Sequence, residues 1–136
     1  MTNEEINALS NEQINVFMAR CIYGAEDHEY VAKNESVKTP YGVSVSDGAL
    51  YKICDGISFI SVKDYCGDAS LMMKIAAESK VGLIFSDIDV TAFICSFSWD
   101  GPDGRHEFDS DFEHSDKPEE YLRAIGIVYL KSKGVL

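Results

Sequence analysis

The chain contains few basic residues. Lys and Arg total 12 against 23 Asp and Glu in 136 residues, so the formal net charge is −11. Binding to nucleic acid begins with the neutralisation of phosphates by Lys and Arg, and this composition argues against any general affinity for DNA or RNA. The same charge opposes binding to an anionic membrane surface. We therefore expect no direct nucleic-acid partner.

Long apolar runs are also missing. No stretch approaches the roughly 18–20 apolar residues that a membrane-spanning helix requires. Residues 1–5 are polar and acidic, whereas a secretory signal has a basic start followed by an apolar segment. These features predict no membrane association and a cytoplasmic location.

Paired cysteine motifs do not occur. The four cysteines are far apart and lie in mostly apolar surroundings: Cys21, Cys54, Cys66 and Cys95. We interpret them as reduced, semi-buried thiols. None of them lies at zinc-binding spacing from another cysteine or from a histidine, so we predict no metal and no other cofactor.

Catalytic signatures are missing as well. The sequence has no GxSxG elbow, no P-loop and no GxGxxG motif. Of the three histidines, His28 lies among acids and is interpreted as a surface residue, while His106 and His114 are too far apart for a compact pair. We therefore predict a protein that is not an enzyme and has no catalytic residues.

The patterns that are present predict one α+β domain over residues 1–136. Capping boxes at Thr2 and Ser10 begin helices, and apolar spacing predicts helices near 11–23, 68–80 and 117–132. Ser115 or Asp116 is expected to cap the last helix. We expect an antiparallel sheet sandwiched by about three helices, in α-β-α layers.

The strands are predicted from alternation of apolar and polar residues. The segments are 43–45, 49–54, 57–62, 81–85, 90–99 and 105–112. The clearest is 90–99, which we place at the centre of the sheet, with Phe93 and Phe97 on its buried face. Residues 25–48 are otherwise left unassigned.

Two segments resemble a known family. Asp64-Tyr65-Cys66-Gly67-Asp68-Ala69 before a helix, and the closing segment 117–128 with Pro118 near its start, are similar to the phage NinX-like family and related phage "ABA sandwich" domains. The resemblance implies a helix–sheet–helix sandwich encoded by a phage or prophage and acting in the cytoplasm of the bacterial host cell. That family has no agreed activity, so no functional residue is transferred, and residues 25–61 depart from its pattern.

Acidic residues are concentrated between positions 100 and 120. Nine acids, opposed only by Arg105 and Lys117, lie there: Asp100, Asp103, Glu107, Asp109, Asp111, Glu113, Asp116, Glu119 and Glu120. In an extended segment the four acids from Glu107 to Glu113 share one face. Three interpretations are open: a solvated edge strand protected by charge from aggregation, a surface for a basic protein, or a divalent-metal site.

Our hypothesis is non-catalytic binding by an accessory protein. The partner would be a host or defence protein with a basic surface. The expected interface comprises six acids and one aromatic anchor: Asp100, Asp103, Glu107, Asp109, Asp111, Glu113 and Trp99. The alternative is a protein that binds a nucleotide signal by Tyr or Trp stacking, with Lys38, Lys52 and Lys63 facing the phosphates. A homodimer stays open.

Overall fold

The structure is a computed structural model. It describes the backbone of residues 1–100 and 105–136, and the side chains of residues 1–94 and 113–136. The helices are α1 (Asn3–Asn7), α2 (Asn11–Tyr23), α3 (Ala69–Ser79) and α4 (Tyr121–Ser132), the last preceded by a 3-10 turn at Pro118–Glu120. The strands are β1 (Glu29–Val31), β2 (Ser36–Lys38), β3 (Ser44–Ser46), β4 (Ala49–Ile53), β5 (Ile57–Ser61), β6 (Gly82–Phe85), β7 (Val90–Asp100) and β8 (Arg105–Ser115).

The strands form three antiparallel sheets rather than one. Their orders are β1-β4-β5, β2-β3 and β6-β7-β8. The predicted α+β class with antiparallel pairing is confirmed, and β7 is the central strand of its sheet as expected. Residues 25–48 supply three short strands; β3 overlaps the predicted segment 43–45, whereas β1 and β2 were not predicted, and β2 and β3 pair with each other as a separate hairpin.

Helix α4 lies at the centre of the molecule. It packs against β7 and β8 on one side and against α2 and α3 on the others. Every residue from Ala124 to Leu130 is buried, so this helix is apolar all round, which is typical of a core helix. Gly126 allows the close approach of its neighbours, since a Cβ there would lie 3.2 Å from Met72 Cε and 3.3 Å from Ile14 Cγ2.

The inner face of β7 differs from our expectation. Val90 and Ala92 are fully buried on the side of α4, whereas Phe93 is only half-buried on the opposite face. Ala92 leaves room on this face for the side chains of α4, and Ile94 on the same face packs against the same core. The ring of Phe93 instead packs over Gly82 of β6, its cross-strand partner. A Cβ added at Gly82 would lie 2.6 Å from this ring. Phe97 lies outside the described side chains.

Local capping signals were mostly predicted well. Thr2 and Ser10 both complete capping boxes, and Asp68 caps α3 by accepting from the Leu71 amide at 3.1 Å. The expectation for the last helix was wrong. Ser115 Oγ accepts from the Lys117 amide at 3.2 Å in a local turn, and the 3-10 turn has no side-chain cap.

A buried amide joins α2 to the turn before α3. Asn15 donates from Nδ2 to Asp64 Oδ1 at 3.0 Å and accepts from the Cys66 amide at 2.9 Å. Tyr65, between the two bonded residues, is 1% exposed. This cross-link satisfies an otherwise costly buried polar group and fixes where α3 begins.

Replacing Ile125 tests the central position of α4. Ile125→Ala should lower the free energy of unfolding by about 2–5 kcal/mol, because it removes a fully buried side chain and leaves a cavity. The matched control is Ile88→Ala, at a side chain that is 74% exposed, where we expect a change within about 0.5 kcal/mol. Urea unfolding measures both, and equal losses would contradict the enclosure of α4.

Alkaline pH provides a second test of packing. Burial is the largest cause that raises the pKa of Tyr30, Tyr65 and Tyr129 from 10.0 to about 12. Between these values the folded state holds protons that the unfolded state has lost, so stability should fall as pH rises from 10 to about 12. Urea unfolding together with tyrosinate absorbance measures this loss. Removal of one such group in Tyr30→Phe should make the loss shallower, and a stability that is flat across this range would contradict the burial.

Candidate functional site

The structure describes the predicted acidic surface only in part. Glu113 is the one member whose side chain is described. Asp103 lies outside the described residues, and five members belong to described strands but have side chains outside the described part: Trp99, Asp100, Glu107, Asp109 and Asp111.

Glu113 lies on the face of β8 that is packed against α4. It accepts from Lys131 of α4 at 3.2 Å, and its side chain is 15% exposed. Glu113 is therefore engaged in an ion pair with the core helix.

The lengths of α4 and β8 limit how much of the strand the helix can cover. A strand of 11 residues extends about 36 Å, whereas a helix of 12 residues extends about 18 Å. The helix meets the strand pair at its Val90–Ser115 end. At most about half of the β7–β8 ribbon can therefore be covered by α4.

A groove of about 500 Å³ lies where β8 ends. The connection between α1 and α2 forms one wall, and the beginning of α4 forms another. Its apolar lining consists of Leu9, Ala124 and Ile127, while its acidic lining consists of Glu113, Asp116 and Glu120. We call this feature the acidic groove.

Arg123 is the basic residue of the acidic groove, and its guanidinium is already bonded. Nη1 donates to Asn11 Oδ1 at 3.1 Å, and Nη2 donates to the carbonyls of Ile6 and Asn7 at 3.3 and 3.4 Å. These bonds satisfy carbonyls at the end of α1. Arg123 is directed at the α1 end, Glu113 is paired with Lys131, and Glu120 lies 3.9 Å from Lys117 Nζ. The exposed Asp116 is therefore the groove acid most open to a ligand.

His114 and Glu120 are also held within the groove. Thr91 Oγ1 lies 3.0 Å from His114 Nδ1, and Asp89 Oδ2 lies 3.7 Å from Nε2. Glu120 accepts from Ser115 Oγ at 3.0 Å. These contacts fix the groove walls before any ligand arrives, which lowers the entropy lost on binding.

A second polar cluster surrounds His28, whose side chain is 11% exposed rather than on the surface as expected. Its Nδ1 lies 3.0 Å from Asp27 Oδ1 and its Nε2 lies 3.1 Å from Ser58 Oγ. Lys52 forms an ion pair with the other oxygen of Asp27. Hydrogen bonds from Lys52 and then His28 lower the pKa of Asp27 from 3.8 to about 2. We call these four residues the His28 network.

The lysines proposed to face a nucleotide have other surroundings. Lys52 is paired with Asp27. Lys63 lines a cavity of about 50 Å³ together with Glu12 and Asp64, far smaller than the roughly 300–1,000 Å³ of ligand pockets. Lys38 is exposed on β2.

The described residues also bear on metals and membranes. Among residues whose side chains are described, no group of three or more His, Cys, Asp or Glu is arranged to hold a metal ion. Within the same part of the chain, the helices are too short or too polar to cross a bilayer.

The cysteines differ in exposure more than we expected. Cys54 is exposed, Cys21 and Cys66 are partly buried, and Cys95 lies outside the described side chains. Burial raises the pKa of Cys66 from 9.0 to about 11. This shift lowers its thiolate fraction at neutral pH about a hundredfold relative to an ordinary thiol.

Thiol labelling tests this difference. With a disulfide reagent at neutral pH, Cys54 should be modified rapidly and Cys66 roughly a hundredfold more slowly, because the thiolate is the reacting form. Peptide mapping by mass spectrometry assigns the sites, and Cys54→Ser should remove a fast phase. Modification of Cys66 as fast as Cys54 in the folded protein would show that its burial is wrongly assigned.

Comparisons with protein-family models, with curated proteins and with solved structures find no match to this chain. The resemblance to the phage NinX-like family therefore stays a prediction, and the function has to be argued from the acidic groove and the His28 network.

Proposed function

We propose that this protein takes up a basic segment of a partner protein by non-catalytic binding at the acidic groove. A Lys or Arg side chain of the partner enters the acidic groove. The observation that carries this proposal is the combination of an apolar floor and an acidic rim in one groove of about 500 Å³.

The chemistry of the groove matches a long basic side chain. Lys and Arg bury an aliphatic stem against apolar surface while the charged head stays among polar groups. Leu9 and Ile127 offer the apolar surface, and Asp116 and Glu120 offer acceptors for the head. Asp116 is exposed, so a partner can reach it without unfolding the protein.

Long-range charge supports the same partner class. The net charge of −11 attracts a basic surface before contact, and complementary charge raises association rates more than it raises affinity. In the phage or prophage setting that the resemblance implies, the partner would be a host or defence protein with a basic surface.

Nucleotide binding, our alternative, has weaker support. The acidic groove is large enough for a small molecule, but the exposed Asp116 on its lining would repel phosphates. The ion pair between Lys52 and Asp27 neutralises one of the lysines expected to offset that repulsion.

A charge-matched pair of variants tests the binding proposal. The groove variant is Asp116→Asn with Glu120→Gln, and the control is Glu35→Gln with Glu78→Gln at exposed sites away from the groove. Each pair removes two negative charges and leaves a net charge of −9 (−11 + 2). Fluorescence anisotropy with a labelled oligolysine peptide measures affinity at low and at high salt.

We expect the groove variant to bind the peptide about tenfold or more weakly, because it loses two carboxylate charges that would pair with the cationic head. The control should bind within about twofold of the parent, since distant surface charges are screened. Thermal unfolding of both variants verifies that they fold. Equal weakening in the two variants would show that oligolysine responds to net charge alone, and the groove would lose its role.

A further inference from the structure

We propose that Ser58 is a nucleophile, activated by His28 and oriented through Asp27, that accepts the acyl group of a small ester at the open edge of β5. This acyl-transfer activity is separate from the acidic groove. It rests on the geometry of the His28 network alone.

The hydrogen bonds of the network fix the direction of proton transfer. Asp27 is ionised at neutral pH and is therefore only an acceptor, so Nδ1 of neutral His28 must donate to it. Nε2 is then the acceptor nitrogen, and the Ser58 hydroxyl donates to it at 3.1 Å. This sequence of nucleophile, base and orienting carboxylate is the arrangement that activates serine in acyl transfer.

The surrounding structure holds the base in place. Arg20 of α2 donates from Nη2 to the His28 carbonyl at 3.1 Å, so the backbone of His28 is tied to a helix. Lys52 engages the second oxygen of Asp27. Ser58 faces Lys52 across the β4–β5 pair and is only half-buried, so part of the residue contacts solvent.

The edge of the sheet supplies a donor for the developing oxyanion. Backbone bonds from Cys54 to Gly56 and from Val62 to Gly48 show which cross-strand pairs of the β4–β5 hairpin are hydrogen-bonded. Hydrogen-bonded and non-hydrogen-bonded pairs alternate along an antiparallel ladder, so Ser58 belongs to a hydrogen-bonded pair and Phe59 to a non-hydrogen-bonded one. The backbone amide of Phe59 is therefore directed away from β4. An outward amide directly after the nucleophile is a familiar oxyanion donor.

The reaction balances without a cofactor. Ser58 Oγ forms a bond to the ester carbonyl carbon while its proton passes to His28 Nε2. The bond from that carbon to the alkoxide breaks as His28 returns the proton to the leaving alcohol. Water, deprotonated by His28, then attacks the acyl-serine. The bond from the acyl carbon to Ser58 Oγ breaks as His28 returns the proton to Oγ, and the carboxylic acid leaves. Because the site lies at a sheet edge, it suits a small or extended acyl group.

Fluorophosphonate labelling of the full chain tests the proposal. This probe reports a serine nucleophile when Oγ bonds to phosphorus and fluoride leaves, and intact mass with peptide mapping locates the label. We expect one label on Ser58 and none on Ser61, an exposed serine of the same strand. Ser58→Ala should lose the label, whereas Ser61→Ala should keep it.

Variants of the base and the orienting acid separate activation from mere contact. His28→Gln should slow labelling roughly a hundredfold or more, the share that general base catalysis supplies. Asp27→Asn should slow it as well, because an amide can hold His28 in the wrong tautomer. Asp27 is largely exposed, so this variant should still fold if His28→Gln does not.

Three outcomes would overturn the proposal: no label on Ser58 in the folded protein, equal labelling of Ser61, or labelling unchanged in Asp27→Asn. The network would then be a cross-link between the start of β1 and β5, and Ser58→Ala would lower the melting temperature without any chemical effect. The groove variant should label like the parent, so failure here leaves the binding proposal untouched.

Discussion

Helix α4 is enclosed by the β6-β7-β8 sheet on one side and by α2 and α3 on the others, and this enclosure determines where the other elements lie. Gly126 lets Ile14 and Met72 approach the helix axis closely. Ala92 of β7 is small for the same reason, since a larger inner side chain would push the sheet away from α4. Packing around one helix therefore explains which face of β7 is buried.

The acidic groove is a consequence of this arrangement. Arg123, on the first turn of α4, bonds the carbonyls that end α1 and so draws the α1–α2 connection toward the end of β8. The space left between them has an apolar floor from α4 itself and an acidic rim from β8 and the 3-10 turn. The His28 network lies elsewhere, at the edge of the β1-β4-β5 sheet, and depends on α2 through Arg20.

The sequence was informative where the interaction is local. The capping boxes at Thr2 and Ser10 involve residues three positions apart, and both formed as predicted. The large apolar side chain of Phe93 led us to predict that it is buried, yet it is only half-buried, because burial depends on the surface that the residue packs against as well as on the residue. The contact between Ser58 and His28 could not be predicted from the sequence, because 30 residues separate them and only the pairing of β1, β4 and β5 brings them together.

The most direct test of the binding account is an NMR titration of the isotope-labelled protein with the oligolysine peptide. If the groove receives a basic side chain, amide shifts should concentrate around Asn11, Asp116, Glu120 and Arg123, which line it. They should saturate together with one affinity and weaken with salt. Shifts spread evenly over all acidic residues, or confined to a surface away from these four, would contradict the account.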